Sequence, residues 1–262
     1  MRCRFRLSGG YGVDDVTGLA GRPDGQESLM EPESTWEGRV EVIGVDGYRR
    51  GWVAVRFVEA KMAGGQTFPQ FSALLRTFEE ARVIAVDIPV GLPENGQRPA
   101  DVTARKVLGP RLNSVFFAPP RRVLEAPTFQ TAVEAARSLG ASVSQQMYAL
   151  RRKVLEVNDL AATDSRVVEV HPEVSFWALN GNRPLRHSKR TWNGLTERIA
   201  LLRTVGLTLP DEVRPLGDVP PDDLLDAVAA AWTALRVVEG QARTLPESPL
   251  ADDRGRLAAI WY

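Results

Sequence analysis

Cysteine occurs once among the 262 residues, as Cys3. A lone thiol excludes an internal disulfide framework and a thiolate zinc cluster, and it makes a reducing cytoplasm the expected compartment. Histidine is almost as scarce, with only His171 and His187. No apolar run approaches the length of a membrane span, so no transmembrane helix is expected. No apolar h-region follows Arg2, Arg4 and Arg6, which argues against a secretory signal. Basic and acidic residues balance at 33 each, a neutrality unsuited to coating nucleic acid nonspecifically but compatible with a local basic surface. Internal repeats and low-complexity tracts are missing beyond the first residues. What is present is an ordinary globular composition, 44% apolar, enough to bury a real core.

Residues 1–39 lack apolar periodicity and are rich in Gly, Ser, Asp and Glu, the composition of a disordered tail. Met30, just ahead of the first ordered segment, is an alternative start to Met1. From Val40 the pattern sharpens. Val40–Val45 and Trp52–Glu59 read as two strands joined by a short connection, hence an antiparallel hairpin. Gln66–Phe71 reads as an edge strand because Pro69 interrupts it. A helix from Ser72 to Glu80 then allows Arg82–Ile88 to return parallel to the first strand. Helices are expected at Pro99–Leu108, Phe129–Leu139 and Ser142–Leu160, with an irregular stretch at Pro110–Pro127. Arg166–His171 reads as a fifth strand. Helices at Pro172–Leu179, Trp192–Val205 and Asp222–Glu239 follow, and Arg256–Tyr262 closes the chain as a short strand. The plan is α/β: a mixed five-stranded sheet flanked by helices, in one domain over 40–262, with helices inserted at about 94–165 between strands four and five.

Chemistry concentrates at the strand ends. Val40–Val45 runs into Asp46 between two glycines, and Val83–Val86 runs into Asp87. A buried aspartate at a strand end is costly unless something binds its charge, although a turn aspartate fits the same pattern. Asp223 and Asp226 lie three apart, on one face of the last expected helix. Asp222 suits a helix cap, whereas Asp226 sits in an apolar stretch that faces a sheet. Carboxylates from two parallel strands and one helix would suit Mg²⁺ or Mn²⁺, hard ions that prefer oxygen ligands, and a pair of such ions serves phosphodiester hydrolysis. Glu169 on the fifth strand is a further candidate ligand. His171 is either a hydrogen-bonded structural residue or a proton relay. Between Arg98 and Lys153 basic residues outnumber acidic ones, and Arg183–Arg190 adds a second basic stretch. Arg121, Arg151, Arg152, Lys153 and Lys189 are candidate phosphate contacts, against the alternative of a solvated helix face. Phe116, Phe117 and Tyr148 could stack bases or pack the core.

The segments Gly44-Val45-Asp46-Gly47-Tyr48-Arg49-Arg50-Gly51-Trp52, Val86-Asp87-Ile88-Pro89-Val90-Gly91-Leu92-Pro93, Ser114-Val115-Phe116-Phe117-Ala118-Pro119-Pro120-Arg121, Glu169-Val170-His171-Pro172-Glu173-Val174-Ser175-Phe176 and Asp222-Asp223-Leu224-Leu225-Asp226-Ala227 occur in that order. Through them the chain resembles the family called domain of unknown function 429, whose members are predicted nucleases assigned an RNase H-like fold. The resemblance covers roughly Val42 to Tyr262. It implies a metal-dependent nuclease in which Asp46, Asp87, Asp223 and Asp226 hold Mg²⁺ or Mn²⁺ and nucleic acid is the partner. Asn158 departs from the pattern, standing where an aspartate is expected. Two other readings remain open: an actin-like or sugar-kinase-like phosphotransferase, which also places Asp-Gly after its first strand, and a non-catalytic nucleic-acid-binding protein of the same fold. The first lacks here its second phosphate loop and Gly-Gly adenosine motif. The second is disfavoured by the presence of all four aspartates.

Overall fold

The computed structural model describes residues 40–210, 212–252 and 255–262; the expected disordered tail lies outside them. Three strands, β1 (Glu41–Tyr48), β2 (Gly51–Val58) and β3 (Lys61–Phe68), form an antiparallel meander. Helix α1 (Phe71–Thr77) carries the chain back so that β4 (Val83–Val86) pairs parallel to β1, and β5 (Val167–Glu169) pairs parallel to β4. The sheet order is β3-β2-β1-β4-β5. This is the mixed five-stranded sheet that the apolar runs imply, with the Pro69-limited strand at one edge. That strand starts five residues earlier than expected. Glu59 and Ala60, both at positive φ, make the tight turn into it, and Gly64-Gly65 within it hides its β character.

Between β4 and β5 lie α2 (Pro99–Leu108), a 3-10 turn (Gly109–Ser114), α3 (Arg121–Leu124), α4 (Phe129–Ser138), α5 (Gln145–Ala149) and α6 (Arg151–Ala161). The expected single helix Ser142–Leu160 is therefore two, broken at Leu150, and the stretch expected to be irregular contains helical turns. After β5 come α7 (Pro172–Leu179), α8 (Trp192–Thr204) and α9 (Pro221–Val238). Two short strands, β6 (Thr244–Leu245) and β7 (Ile260–Trp261), pair with each other, and Trp261 bridges to Val170 beyond β5. No helix among the described residues is long and apolar enough to cross a membrane.

The period of two along a strand sends alternate side chains to opposite faces. Val42, Val83 and Ala85 pack on one face with residues of α7, α8 and α9. Ile43, Val45, Ile84 and Val86 pack on the other with α1 and α6. Helix α9 is the main cover of the first face. Pro221 opens it, Asp222 and Asp223 complement its N-terminal dipole, and Gly240 at φ 67° follows its end. Every residue from Leu224 to Leu235 is buried. Burying residues such as Leu225, Val228 and Leu235 contributes about 1.5–3 kcal/mol each.

Small residues set how close α9 comes. A Cβ placed on Gly44 would lie 2.0 Å from the Ala227 carbonyl oxygen and 2.2 Å from the Ala231 nitrogen. The helix backbone therefore rests directly on β1, which a residue with any side chain would prevent.

Candidate metal centre

The same alternation that sends Val42 and Gly44 toward α9 also sends Asp46 there. On β4, Val83 and Ala85 lead to Asp87 on the same face. Asp226, one residue before Ala227, descends from the helix that Gly44 admits. The three carboxylates converge, with one oxygen from each within 4.8 Å of the others. This meets the spacing required of ligands that share an ion. Asp46 and Asp226 are buried and Asp87 is half-buried.

Each acid carries a raised pKa. Burial raises Asp46 well above its ordinary value, and the charges of Asp87 and Asp226 add to it. Burial likewise raises Asp87, against the pull of His171 and Lys189. For Asp226 burial pushes the carboxyl up to about 6, with Lys189 opposing and Asp87 reinforcing. Burial is the common and largest cause, and like charge adds to it at Asp46 and Asp226. Asp223, one turn earlier on α9, is half-buried and outside the close group, yet its charge reaches Asp46. Asp222 is not the helix cap; that position is Pro220.

Glu169 requires correction as a metal ligand. Val168 and Val170 pack with the α9 face, whereas Val167 packs with the other. Glu169 shares the parity of Val167 and so points away from the cluster. Its carboxylate accepts two bonds of 2.6 Å from the buried Arg98 guanidinium and one of 2.7 Å from the Val90 N–H. Arg98 also donates to Asp101 and to the Val90 carbonyl. Asn158 donates to the Pro89 carbonyl and accepts from the Gly91 N–H. Together these bonds brace Pro89–Gly91, the segment immediately after Asp87. At position 158 a neutral amide fits because it must donate to the Pro89 and Val154 carbonyls while accepting from the Gly91 N–H, which a carboxylate cannot do. The alternation in β5 gave no warning of Glu169's direction, because parity within a strand does not say which face is which.

The candidate phosphate contacts divide. Lys189 enters the acid cluster itself, donating to Asp226 Oδ2. Lys153 lies at its rim, where Nζ donates to the Tyr48 and Gly51 carbonyls at 2.7 and 2.6 Å and sits over the Trp52 ring. Arg121 pairs with Asp159 and Glu125, Arg151 stacks on Tyr148, and Arg152 is exposed. The basic stretch between strands four and five is thus partly internal: Arg98 is buried, and Arg105 serves the Leu112 and Val115 carbonyls. Tyr148 is buried, donating to the Ala126 carbonyl, and Phe116 packs against the core. His171 lies near Asp87; its Nε2 is 3.2 Å from the Ser114 carbonyl oxygen, so in the neutral ring that nitrogen is the donor. Its buried Nδ1 has no hydrogen-bond partner among the described residues.

Two features that shape the centre carried no chemical signal in the sequence: Gly44, whose role needs the helix opposite, and Arg98, whose partner is 71 residues away. Neither a curated protein nor a solved structure matches the chain. A family model described as protein of unknown function (DUF429) matches residues 44–251. That span includes all three converging aspartates and the helix that delivers the last of them, and the chain belongs to that family.

Proposed function

We propose that this chain is a metal-dependent nuclease that hydrolyses phosphodiester bonds of nucleic acid, built on an RNase H-like core with α2–α6 as an insertion. The observation that carries this reading is the convergence of Asp46, Asp87 and Asp226 from two adjacent parallel strands and the covering helix. The donor set fits Mg²⁺ or Mn²⁺: it offers oxygen alone, from side chains that repel one another without a cation. Asp46, Asp87 and Asp226 would hold the ion, with Asp223 as the fourth carboxylate available to a second. A divalent cation bound there supplies positive charge that polarises a phosphodiester oxygen and makes water more acidic.

The protein's own contribution is placement. Gly44 lets α9 approach, Arg98, Glu169 and Asn158 hold the segment after Asp87, and Lys153 ties the β1–β2 turn beside Asp46. Lys153 and Lys189 keep positive charge at the site, where an anionic phosphodiester would otherwise meet only carboxylates. The ammonium of Lys153 loses some basicity through burial, against the pull of Asp46 and Asp223.

The test is a cleavage screen of the purified protein on single-stranded, duplex, hybrid and branched DNA and RNA with Mg²⁺ or Mn²⁺. Cleavage should require the metal and should vanish in Asp46→Asn and in Asp226→Asn. Because the acids act as one unit, the double variant should be scarcely worse than either single one. Cleavage surviving in either single variant would end this reading.

A further inference from the structure

The chain has four lysines, Lys61, Lys106, Lys153 and Lys189. Arginine serves nearly everywhere else, yet two of the four lysines stand at the acid cluster. Lysine differs from arginine in presenting a compact point charge on a flexible stem, closer to a metal ion than to a planar fork. Lys189 donates to Asp226, and the charges of Asp46 and Asp87 also act on it.

The backbone beneath it is built to aim it. Glu197 of α8 accepts from the Arg186 and His187 N–H groups at 3.2 and 3.1 Å. Arg198 donates to the His187 carbonyl, and Thr191 donates through both its backbone N–H and its hydroxyl to the Ser188 carbonyl. At Gly194 a Cβ would lie 1.9 Å from that same carbonyl oxygen, so α8 is pressed against the loop. These bonds fix the loop, whereas the Lys189 side chain remains 35% exposed.

We propose that Lys189 is a resident cation of the carboxylate cluster, which a divalent metal displaces when it binds, releasing the ammonium toward solvent at the mouth of the site. This rests on the metal-centre reading above. One of the three carboxylates that can share an ion already holds an ammonium, and Asp226 Oδ2 cannot give the same lone pair to both. Binding of metal and retention of the Lys189 contact are therefore negatively coupled, and the coupling is reciprocal.

The experiment is amine acetylation of the full chain by a sulfonated N-hydroxysuccinimide ester, read by peptide mass spectrometry, with and without Mn²⁺. Exposed Lys61 is the internal reference. Lys189 should react slowly in chelator-treated protein and severalfold faster once Mn²⁺ saturates. Exposed Lys106, away from the cluster, should not change. In parallel, Lys189→Met should bind Mn²⁺ about tenfold more tightly than wild type by calorimetry, the size expected for such coupling. If Mn²⁺ binds wild type, and not Asp87→Asn, while Lys189 labelling stays constant, the displacement is wrong and the metal centre stands. If neither wild type nor Lys189→Met binds Mn²⁺, the metal centre falls and the displacement with it.

Discussion

Asp46, Asp87 and Asp226 hold their protons more tightly than ordinary aspartates because burial disfavours their charged forms, and at Asp46 and Asp226 the charge of Asp87 adds to it. A folded-state pKa raised above the unfolded one means that the native protein binds more protons across the interval between them. This contribution to stability is present at low pH and is lost as pH rises. For Asp226 the interval runs from the ordinary 3.8 to about 6. Melting temperature of chelator-treated wild type, measured relative to Asp87→Asn, should therefore decline between about pH 4 and pH 6. Asp87→Asn removes one repelling charge, so it should melt higher than wild type at pH 7 and bind Mn²⁺ at least about tenfold more weakly. A variant that binds Mn²⁺ as tightly as wild type would show that Asp87 is not a ligand. Glu169 separates ligand from brace in the opposite sense. Glu169→Gln leaves Arg98 undercompensated in the interior and should cost about 3 kcal/mol in denaturant melts. Its Mn²⁺ affinity should fall far less than that of Asp87→Asn, because its carboxylate lies on the other face of the sheet and only braces the segment after Asp87.

At the scale of elements, the decisive contact is backbone against backbone where α9 crosses β1. Gly44→Ala forces the helix outward and should destabilise the fold by about 3 kcal/mol, at the upper end of overpacking costs. Ala231→Gly should fail to rescue it, because the nearest obstructing atoms are the Ala227 carbonyl and the Ala231 nitrogen. Rescue measured by thermal melts would show that side-chain crowding, not backbone approach, sets the spacing. Strands β1, β2 and β4 were legible because they are apolar runs rich in valine and isoleucine, and Asp46 and Asp87 stood out as polar residues closing the runs of β1 and β4. Helix α9 was legible from its double proline and alanine-rich core. Strand β3 began beyond the visible signal because Ala63-Gly64-Gly65 carries little β propensity. The two-residue strand β6 is too short to show a period, β7 occupies only Ile260–Trp261 of the closing strand expected over Arg256–Tyr262, and no proline or glycine marks the break at Leu150. Lys189 looked like one member of a basic stretch; only α8, folding back on its loop, turns it into the acid cluster.

Across the whole molecule, ion binding and folding stability are one equilibrium. An ion that binds only the native state at one hundred times its Kd adds about 2.7 kcal/mol. For a chain of this size that corresponds to a rise in melting temperature on the order of 5–10 °C. Wild type should show this shift with Mn²⁺, and Asp46→Asn should not; equal shifts in both would place the ion elsewhere. The centre also has a schedule. Asp46 and Asp87 leave the ribosome early, whereas Asp226 follows after the helices between β4 and β5, then α7 and α8. At about 5–20 residues per second the gap is on the order of ten seconds. Throughout that gap the nascent chain carries two of the three converging aspartates, and the Gly44 groove has no helix to fill it. The three carboxylates therefore cannot converge until α9 has been made.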